Sequence, residues 1–402
     1  MKQVAFPLLC FCFLATARAD EPVPEGNFPG EVRLLLPPLI PALTDLETNL
    51  YFDNAFLALN PANFLVDVTC AKGAQQNERW TWKPKADEIG EHPLMIEIRD
   101  GRNRIVARAS STLRVISRAV AVVPEKPVSL LIIGDSLTAA SIYPQQIHDL
   151  ANGDGLPLTL IGTRGPGSEE GTLPTTPVRH EGYGGWTAER FATHYTGIAR
   201  GGPYKACGSP FLYKTKADDP AESPKLDFQR YCQEFNGGGA PDFVTILLGC
   251  NDTFSATDET IEERIEVMFR HYETLVAMIH SVRPETRIGA ILPMPPAATQ
   301  DAFGSNYGSG QTRWQYRRNQ QRVIERMLET FGGREEENLF LVPACLNLDP
   351  VNGFPAVTGV VHSRSETTVN RQSNGVHPSA EGYRQIGDAV YAWLRSFDGV
   401  VR

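Results

Sequence analysis

The 402-residue chain has no basic excess. Its 38 Lys and Arg face 47 Asp and Glu, for a formal net charge of −9. That leaves no electrostatic footprint for nucleic acid or for an anionic membrane surface. Long hydrophobic runs are also missing. Beyond the first 19 residues no segment is apolar enough to span a bilayer. Seven Cys and eight His are present, but none falls into a Cys-x-x-Cys or His-x-x-x-His spacing. No metal site and no cofactor is therefore expected. There is no internal repeat and no low-complexity tract. What remains is ordinary globular composition, 42% hydrophobic and 21% charged, in a chain long enough for two domains.

The first 19 residues stand apart. Lys2 supplies a positive start, Val4 to Ala15 a short apolar stretch, and Ala17-Arg18-Ala19 a small-residue cleavage site before Asp20. This reads as a secretory signal peptide over residues 1–19, with a buried N-terminal helix as the plainer alternative. Its removal would take the formal net charge from −9 to −11. The expected location is secreted or periplasmic, with no membrane span. Cys70, Cys207, Cys232, Cys250 and Cys345 remain. An exported compartment permits disulfides. Cys207 and Cys232 flank an irregular Gly/Pro-rich stretch and are the best candidate pair, but free thiols are equally compatible with the spacing.

Residues 20–121 read as all-β. The stretch "LMIEIRDGRNRIVARASSTLRVI" (94–116) alternates apolar and polar residues on either side of Asp100-Gly101, a hairpin signal. "NFLVDVTC" (63–70) and "RWTWKP" (79–84) are further strands. Trp80 and Trp82 suit a sandwich core, or else a sugar-stacking platform. The pattern resembles, in architecture only, small immunoglobulin-like or cadherin-like β-sandwich modules. Residues 122–127, with two prolines, form a linker.

From residue 128 the period changes. Apolar strands at 128–133, 158–162, 243–248, 287–292 and 339–342 alternate with helices at about 142–151, 257–282, 312–330 and 379–396. Such alternation predicts an α/β domain over 128–402, with a parallel sheet covered by helices on both faces. Ligands in these sheets bind outside the carboxyl ends of the strands. Those ends carry Gly134-Asp135-Ser136-Leu137, then "RHEGYGGWTAERF" (179–191), then Gly249-Cys250-Asn251-Asp252, and finally "SNGVHPSAEGY" (373–383) before the last helix. Each fragment alone is compatible with a turn, a glycine loop or a helix start.

Together, in this order, the four blocks resemble the SGNH (GDSL-type) hydrolases. The resemblance spans about residues 128–397 and implies a flavodoxin-like domain. It implies Ser136 as nucleophile and His377 as general base. It also implies an oxyanion hole from the Ser136 backbone, Gly185 (with Gly184 as the alternative) and the Asn251 amide. The chemistry wants these types: an activated hydroxyl, a base within about 2.6–3.2 Å, and donors aimed at the developing oxyanion. One position departs from the family pattern. Where the family has Asp-x-x-His, this chain has Asn374-Gly375-Val376-His377. Asparagine can orient an imidazole but cannot supply negative charge to an imidazolium. Three readings stay open: a dyad with Asn374 as a weaker orienter, another carboxylate in its place, or a weakened site in a carbohydrate-binding protein. Asp135 and Asp252 read as structural.

The expected function is an exported serine esterase removing small acyl groups, O-acetyl above all, from carbohydrate. "EGYGGWT" is similar to the second block of carbohydrate esterases, and the Gly, Pro, Lys and Asp of 197–240 suit one wall of an open cleft. A general short-chain esterase or lipase is the alternative. The domain from 128 is self-contained in pattern, so the β region is expected to be dispensable for small esters. The expected partner is an acyl ester or acetylated polysaccharide, not nucleic acid. The oligomeric state is not legible.

Overall fold

The structure is a computed structural model that describes residues 32–120, 123–167, 173–196, 206–215 and 222–397. The signal-like segment 1–19, residues 20–31 and 121 of the β region, the first linker residue 122 and part of 197–240 lie outside these residues.

The N-terminal region builds two small sheets and a two-residue pairing of Arg33–Leu34 with Phe56–Leu57. One contains β1 (Leu39–Leu43), β3 (Leu65–Cys70), β5 (Gly90–Arg99) and β6 (Ile105–Ile116), in the order β1-β6-β5-β3. The β5–β6 hairpin is the one signalled by Asp100-Gly101. The Asp100 carboxylate accepts from the backbone N–H groups of Arg102 and Arg104 and so pins the turn. The second sheet pairs β2 (Thr48–Tyr51) with β4 (Arg79–Trp82), joined by the two residues Ala74–Gln75. Trp80 and Trp82 are buried edge to face at 6.1 Å. They serve the core, and their faces are not available for stacking sugars.

The α/β region is built on five parallel strands: β7 (Val128–Gly134), β8 (Leu158–Ile161), β10 (Phe243–Leu247), β11 (Arg287–Ile291) and β12 (Leu339–Val342). Their order is β8-β7-β10-β11-β12, the flavodoxin-like arrangement, with its switch point at β7. A two-residue strand, β9 (Glu181–Gly182), pairs with the carboxyl end of β7. Leu130 to Ile133 are fully buried, as a central strand covered on both faces requires. The helices are α1 (Ser136–Ala139), α2 (Ile142–Gly153), α3 (Ala188–Thr193), α4 (Phe228–Phe235), α5 (Ile261–His280), α6 (Gln300–Tyr307), α7 (Arg313–Phe331), α8 (Ala344–Asn347) and α9 (Ala380–Arg395). An exposed hairpin, β13 (Ala356–Val360) and β14 (Thr368–Gln372), precedes the His377 segment.

Two features refine the sequence reading. Cys207 and Cys232 are separate buried thiols, not a disulfide. Cys207 faces the Arg164 guanidinium at 3.6 Å, and Cys232 sits in the apolar face of α4. The β region is also more than an appendage. One continuous hydrophobic core runs from Ile40 and Trp80 to Trp393. Arg317 on α7 is buried and donates to the carbonyls of Asp53 and Phe56, both at 2.6 Å, and to the Asp53 carboxylate at 2.8 Å. Asn54 donates to the carbonyls of Cys345 and Leu348. Arg395, fully buried in α9, reaches the Arg118 carbonyl at 2.9 Å.

The 206–240 stretch is not simply an open wall. Phe211, Phe228 and Tyr231 form a buried aromatic cluster.

Candidate active site

Strand β7 ends at Gly134, whose neighbours in the sheet are Gly182 on one side and Leu247 on the other. The chain then turns into α1. Asp135 caps this helix by accepting from the Leu137 N–H at 2.9 Å. Ser136 is therefore the first helical residue, at the carboxyl rim of the sheet and half exposed.

His377 arrives from the far end of the chain, just ahead of α9, which Ser379 caps. Its Nε2 lies 2.9 Å from Ser136 Oγ. Burial holds its pKa below the ordinary 6.5. The ring is therefore neutral at pH 7, as a base must be. Among the described residues, Ser136 is the only side chain hydrogen-bonded to this ring.

Asn374, expected at the orienting position, does something else. Its Oδ1 accepts from the backbone N–H groups of Val376 at 3.0 Å and His377 at 2.9 Å. It shapes the turn that carries the histidine and makes no hydrogen bond to the imidazole. No carboxylate takes its place at the ring among the described residues.

Asn251 follows β10 in a short helical turn. Its Nδ2 donates to Asp135 Oδ2 at 3.0 Å and to the Trp186 carbonyl at 3.2 Å. Both neighbours are acceptors, so the amide must present its nitrogen to them. Asp135 thus links the serine turn to the asparagine turn, and it also accepts from the Cys250 thiol at 2.9 Å. Burial raises its pKa to about 6. Asp252 accepts from the Ala188 N–H at 3.0 Å at the start of α3, and burial raises it to about 7. Both acids are structural, holding loops together.

The glycine block is held from behind. Gly182 lies against α1, where an added Cβ would stand 2.5 Å from the Ala139 nitrogen. Only glycine permits this approach. Tyr183 to Trp186 form a tight turn closed by a 3.2 Å hydrogen bond, with Gly185 exposed at φ +74°. Tyr183 and Trp186 stack at 4.4 Å beneath it. Glu181, fully buried, accepts from the N–H and hydroxyl of Thr163 and from the hydroxyls of Tyr183 and Tyr231, at 2.7–2.9 Å. Burial still pushes its pKa upward. This carboxylate ties the exit of β8, the glycine turn and α4 into one unit. Sequence reading missed it, although an acid inside an otherwise apolar and glycine-rich block is a signal of a paired internal role.

A second Ser–His contact lies nearby. Ser141 Oγ is 2.8 Å from His180 Nε2. His180 Nδ1 accepts from the Gly182 N–H at 3.0 Å, so the ring proton is on Nε2 and is donated to Ser141. Burial lowers the pKa of His180 to about 3, so the ring stays neutral. A histidine that donates to a serine cannot deprotonate it. This pair is structural, and it supports Ser141 at φ +64°.

Of the residues singled out by sequence, the structure brings Ser136 and His377 into direct contact. It joins Asn251 to both the serine turn and the glycine turn, and it places Gly185 on the latter.

Comparisons with known proteins agree with this layout. The model of the GDSL-like lipase/acylhydrolase family matches residues 132–385. A search of curated proteins by sequence found no match. Among solved structures, Est24, a carbohydrate acetylesterase from Sinorhizobium meliloti, is 16% identical, with 67% of this chain and 99% of that one covered and a TM-score of 0.34. An acetyl xylan esterase, AlAXEase, is 12% identical over 66% of this chain and 100% of that one, with a TM-score of 0.33. BT4096, a gut microbial diltiazem-metabolizing enzyme, is 14% identical over 56% of this chain but only 38% of its own length, with a TM-score of 0.31. At such identities and scores these likenesses carry no argument about function. The family match covers well over half of the chain, and on it this protein belongs to the GDSL-like lipase/acylhydrolase family, the SGNH hydrolases.

Proposed function

We propose that the protein is a serine esterase that removes small acyl groups, O-acetyl above all, from carbohydrate through an acyl-enzyme. The observation that carries the mechanism is the 2.9 Å contact between Ser136 Oγ and a neutral His377 Nε2. Ser136 Oγ bonds to the ester carbonyl carbon while its proton passes to His377 Nε2. The carbonyl electrons move onto oxygen. The Ser136 N–H at the start of α1, the Gly185 N–H and the Asn251 amide face this charge. One amide hydrogen of Asn251 then turns from the Trp186 carbonyl to the oxyanion. The ester C–O bond breaks and the leaving alkoxide takes the proton from Nε2. Water attacks the acyl-serine by the same route, releasing the acid and restoring Ser136. Each oxyanion donor of this kind contributes about 2.7–4 kcal/mol to the transition state.

The carbohydrate assignment rests on polarity. The cavity that begins at Ala139 and Ala140, just beyond Ser136 in the chain, is lined mainly by amides, a carboxylate and guanidinium groups. Export is proposed from the sequence of residues 1–19 alone. Among the described residues, no helix is long and apolar enough to cross a membrane. The test is acetate release. Purified protein should hydrolyse p-nitrophenyl acetate and release acetate from acetylated polysaccharide. Turnover of long-chain esters in preference to acetyl would overturn the assignment.

The lone imidazole has a consequence for pH. The base works while neutral, and burial lowers its pKa, so the acidic limb of kcat/KM is expected below pH 6.5. In Asn374→Asp the new carboxylate can keep both backbone hydrogen bonds while placing negative charge beside the ring. Negative charge favours imidazolium, so the pKa of His377 rises and the acidic limb moves to higher pH. A rise in kcat of about tenfold corresponds to about 1.4 kcal/mol of barrier. Asn374-Gly375 is a deamidation-prone pair, so intact mass must confirm the parent. An unchanged rate and pH profile would show that charge at 374 does not reach the ring.

A further inference from the structure

A cavity of about 570 Å³ opens among the chain segments that follow Ser136 and His377. One wall is α2, with Gln145, Gln146 and Asp149. The facing wall is the loop after β8, including Pro166. Arg384 of α9 closes the end. Its floor includes Ala139 and Ala140, three and four residues after Ser136, and Ala380, three residues after His377. The lining thus begins three residues beyond each catalytic residue in the chain.

We propose that this cavity is a glycan subsite, holding sugar units next to the acylated one while the ester lies at Ser136. The inference rests on the esterase reading above. The side chains keep spare valences of the kind a sugar hydroxyl satisfies. Asp149 Oδ1 accepts from Gln145 Nε2 at 2.7 Å, leaving the second carboxylate oxygen open. Gln146 spends its Nε2 on Asp388 at 2.8 Å, leaving its carbonyl oxygen. Arg384 makes only a long 3.8 Å pairing with Glu381 and is more than half exposed. A hydroxyl both donates and accepts, so acceptors on α2 and a donor on α9 can share one ring. The alanines and Pro166 give a small flat apolar surface suited to the C–H face of a pyranose. Ile142 is the one large apolar side chain among the lining residues, too little to hold an acyl chain. Its volume falls within the range of small-molecule sites.

The test compares two substrates in the parent, Asp149→Ala, Arg384→Ala and the double variant. None of these residues touches the reacting ester. Kinetics are measured with p-nitrophenyl acetate and with a panel of acetylated xylo-, manno- and glucosamine oligosaccharides. For the best oligosaccharide, KM is expected to rise about five- to twentyfold in the single variants and further in the double. For p-nitrophenyl acetate, kcat/KM should stay within twofold of the parent. Unchanged oligosaccharide kinetics would overturn the subsite and leave the esterase reading standing. Equal losses on both substrates would overturn it too, as a general structural effect. A parent active on p-nitrophenyl acetate but on no member of the panel would overturn the subsite and the carbohydrate assignment together. A parent inactive on both would remove the esterase reading itself.

Discussion

Ser136→Ala is expected to lower kcat for p-nitrophenyl acetate by about 10⁴–10⁶-fold, and His377→Ala by a similar factor, with the fold intact. The two residues act as one device: the 2.9 Å contact means that the serine loses its proton only into this imidazole. Removing either disables both, so the double variant should be no slower than the slower single variant. Kinetics on all three, with circular dichroism to confirm folding, check this. A double variant far slower than both singles would mean that the residues contribute separately. Residual activity belongs to the oxyanion donors and to binding, which these substitutions leave in place.

Arg317→Ala is expected to destabilise the protein by about 3–5 kcal/mol, because each buried carbonyl left without a donor costs about 1–3 kcal/mol and one ion pair to Asp53 is lost as well. Arg317 is buried on α7 and donates to two carbonyls and the carboxylate of the 53–56 segment. Burial lowers its pKa to about 10, and Asp53 works against that shift. Without the guanidinium, two inward-facing carbonyls lose their donor, and Asp53 keeps only Arg313. Thermal unfolding should show a Tm lowered by about 5–10 °C. For the same reason, deleting residues 32–120 should leave the remainder unable to fold. It would expose the apolar surface that β1, Trp80 and Trp82 help to cover, and remove the carbonyl partners of Arg317 and those of Arg395 at residues 117–119. A truncated chain that is monomeric, cooperative in unfolding and active would show that the β region is dispensable after all.

That interface was the part least legible in sequence. Residues 94–116 and the strands from 128 announce themselves by period, because a half-buried hairpin alternates and a central parallel strand is apolar throughout. β12 lies at the residues expected, and β7, β10 and β11 end within one residue of expectation. Polar docking contacts have no period. Arg317 and Arg395 look like solvent-facing helix charges until the partner carbonyls are placed opposite them. The hairpin β13–β14 was invisible for a related reason: Ala356 to Val360 are exposed throughout, so no buried face imposes alternation. Helix α5 was expected from 257 but begins at Ile261, because residues 257–260 form a separate turn in which the Thr257 N–H donates to the Thr260 hydroxyl.

At the site, residue types and order were legible while hydrogen-bond direction was not. Motif position puts Asn374 where the family has its aspartate. The observed chain shows its oxygen committed to two backbone donors. The buried acid Glu181 was also out of reach, since its four donors come from three separate segments.

The central claim is that Ser136, activated by His377 alone, is the nucleophile. A fluorophosphonate probe tests it most directly, because such probes capture a serine only when a base has activated it. Ser129, Ser136 and Ser141 share one tryptic peptide, from Ala119 to Arg164, because the Lys126-Pro127 bond resists trypsin, so tandem mass spectrometry must place the adduct. The account predicts a single adduct on Ser136, absent in Ser136→Ala and strongly reduced in His377→Ala. An adduct on Ser141, or labelling that survives in His377→Ala at the parental rate, would contradict it.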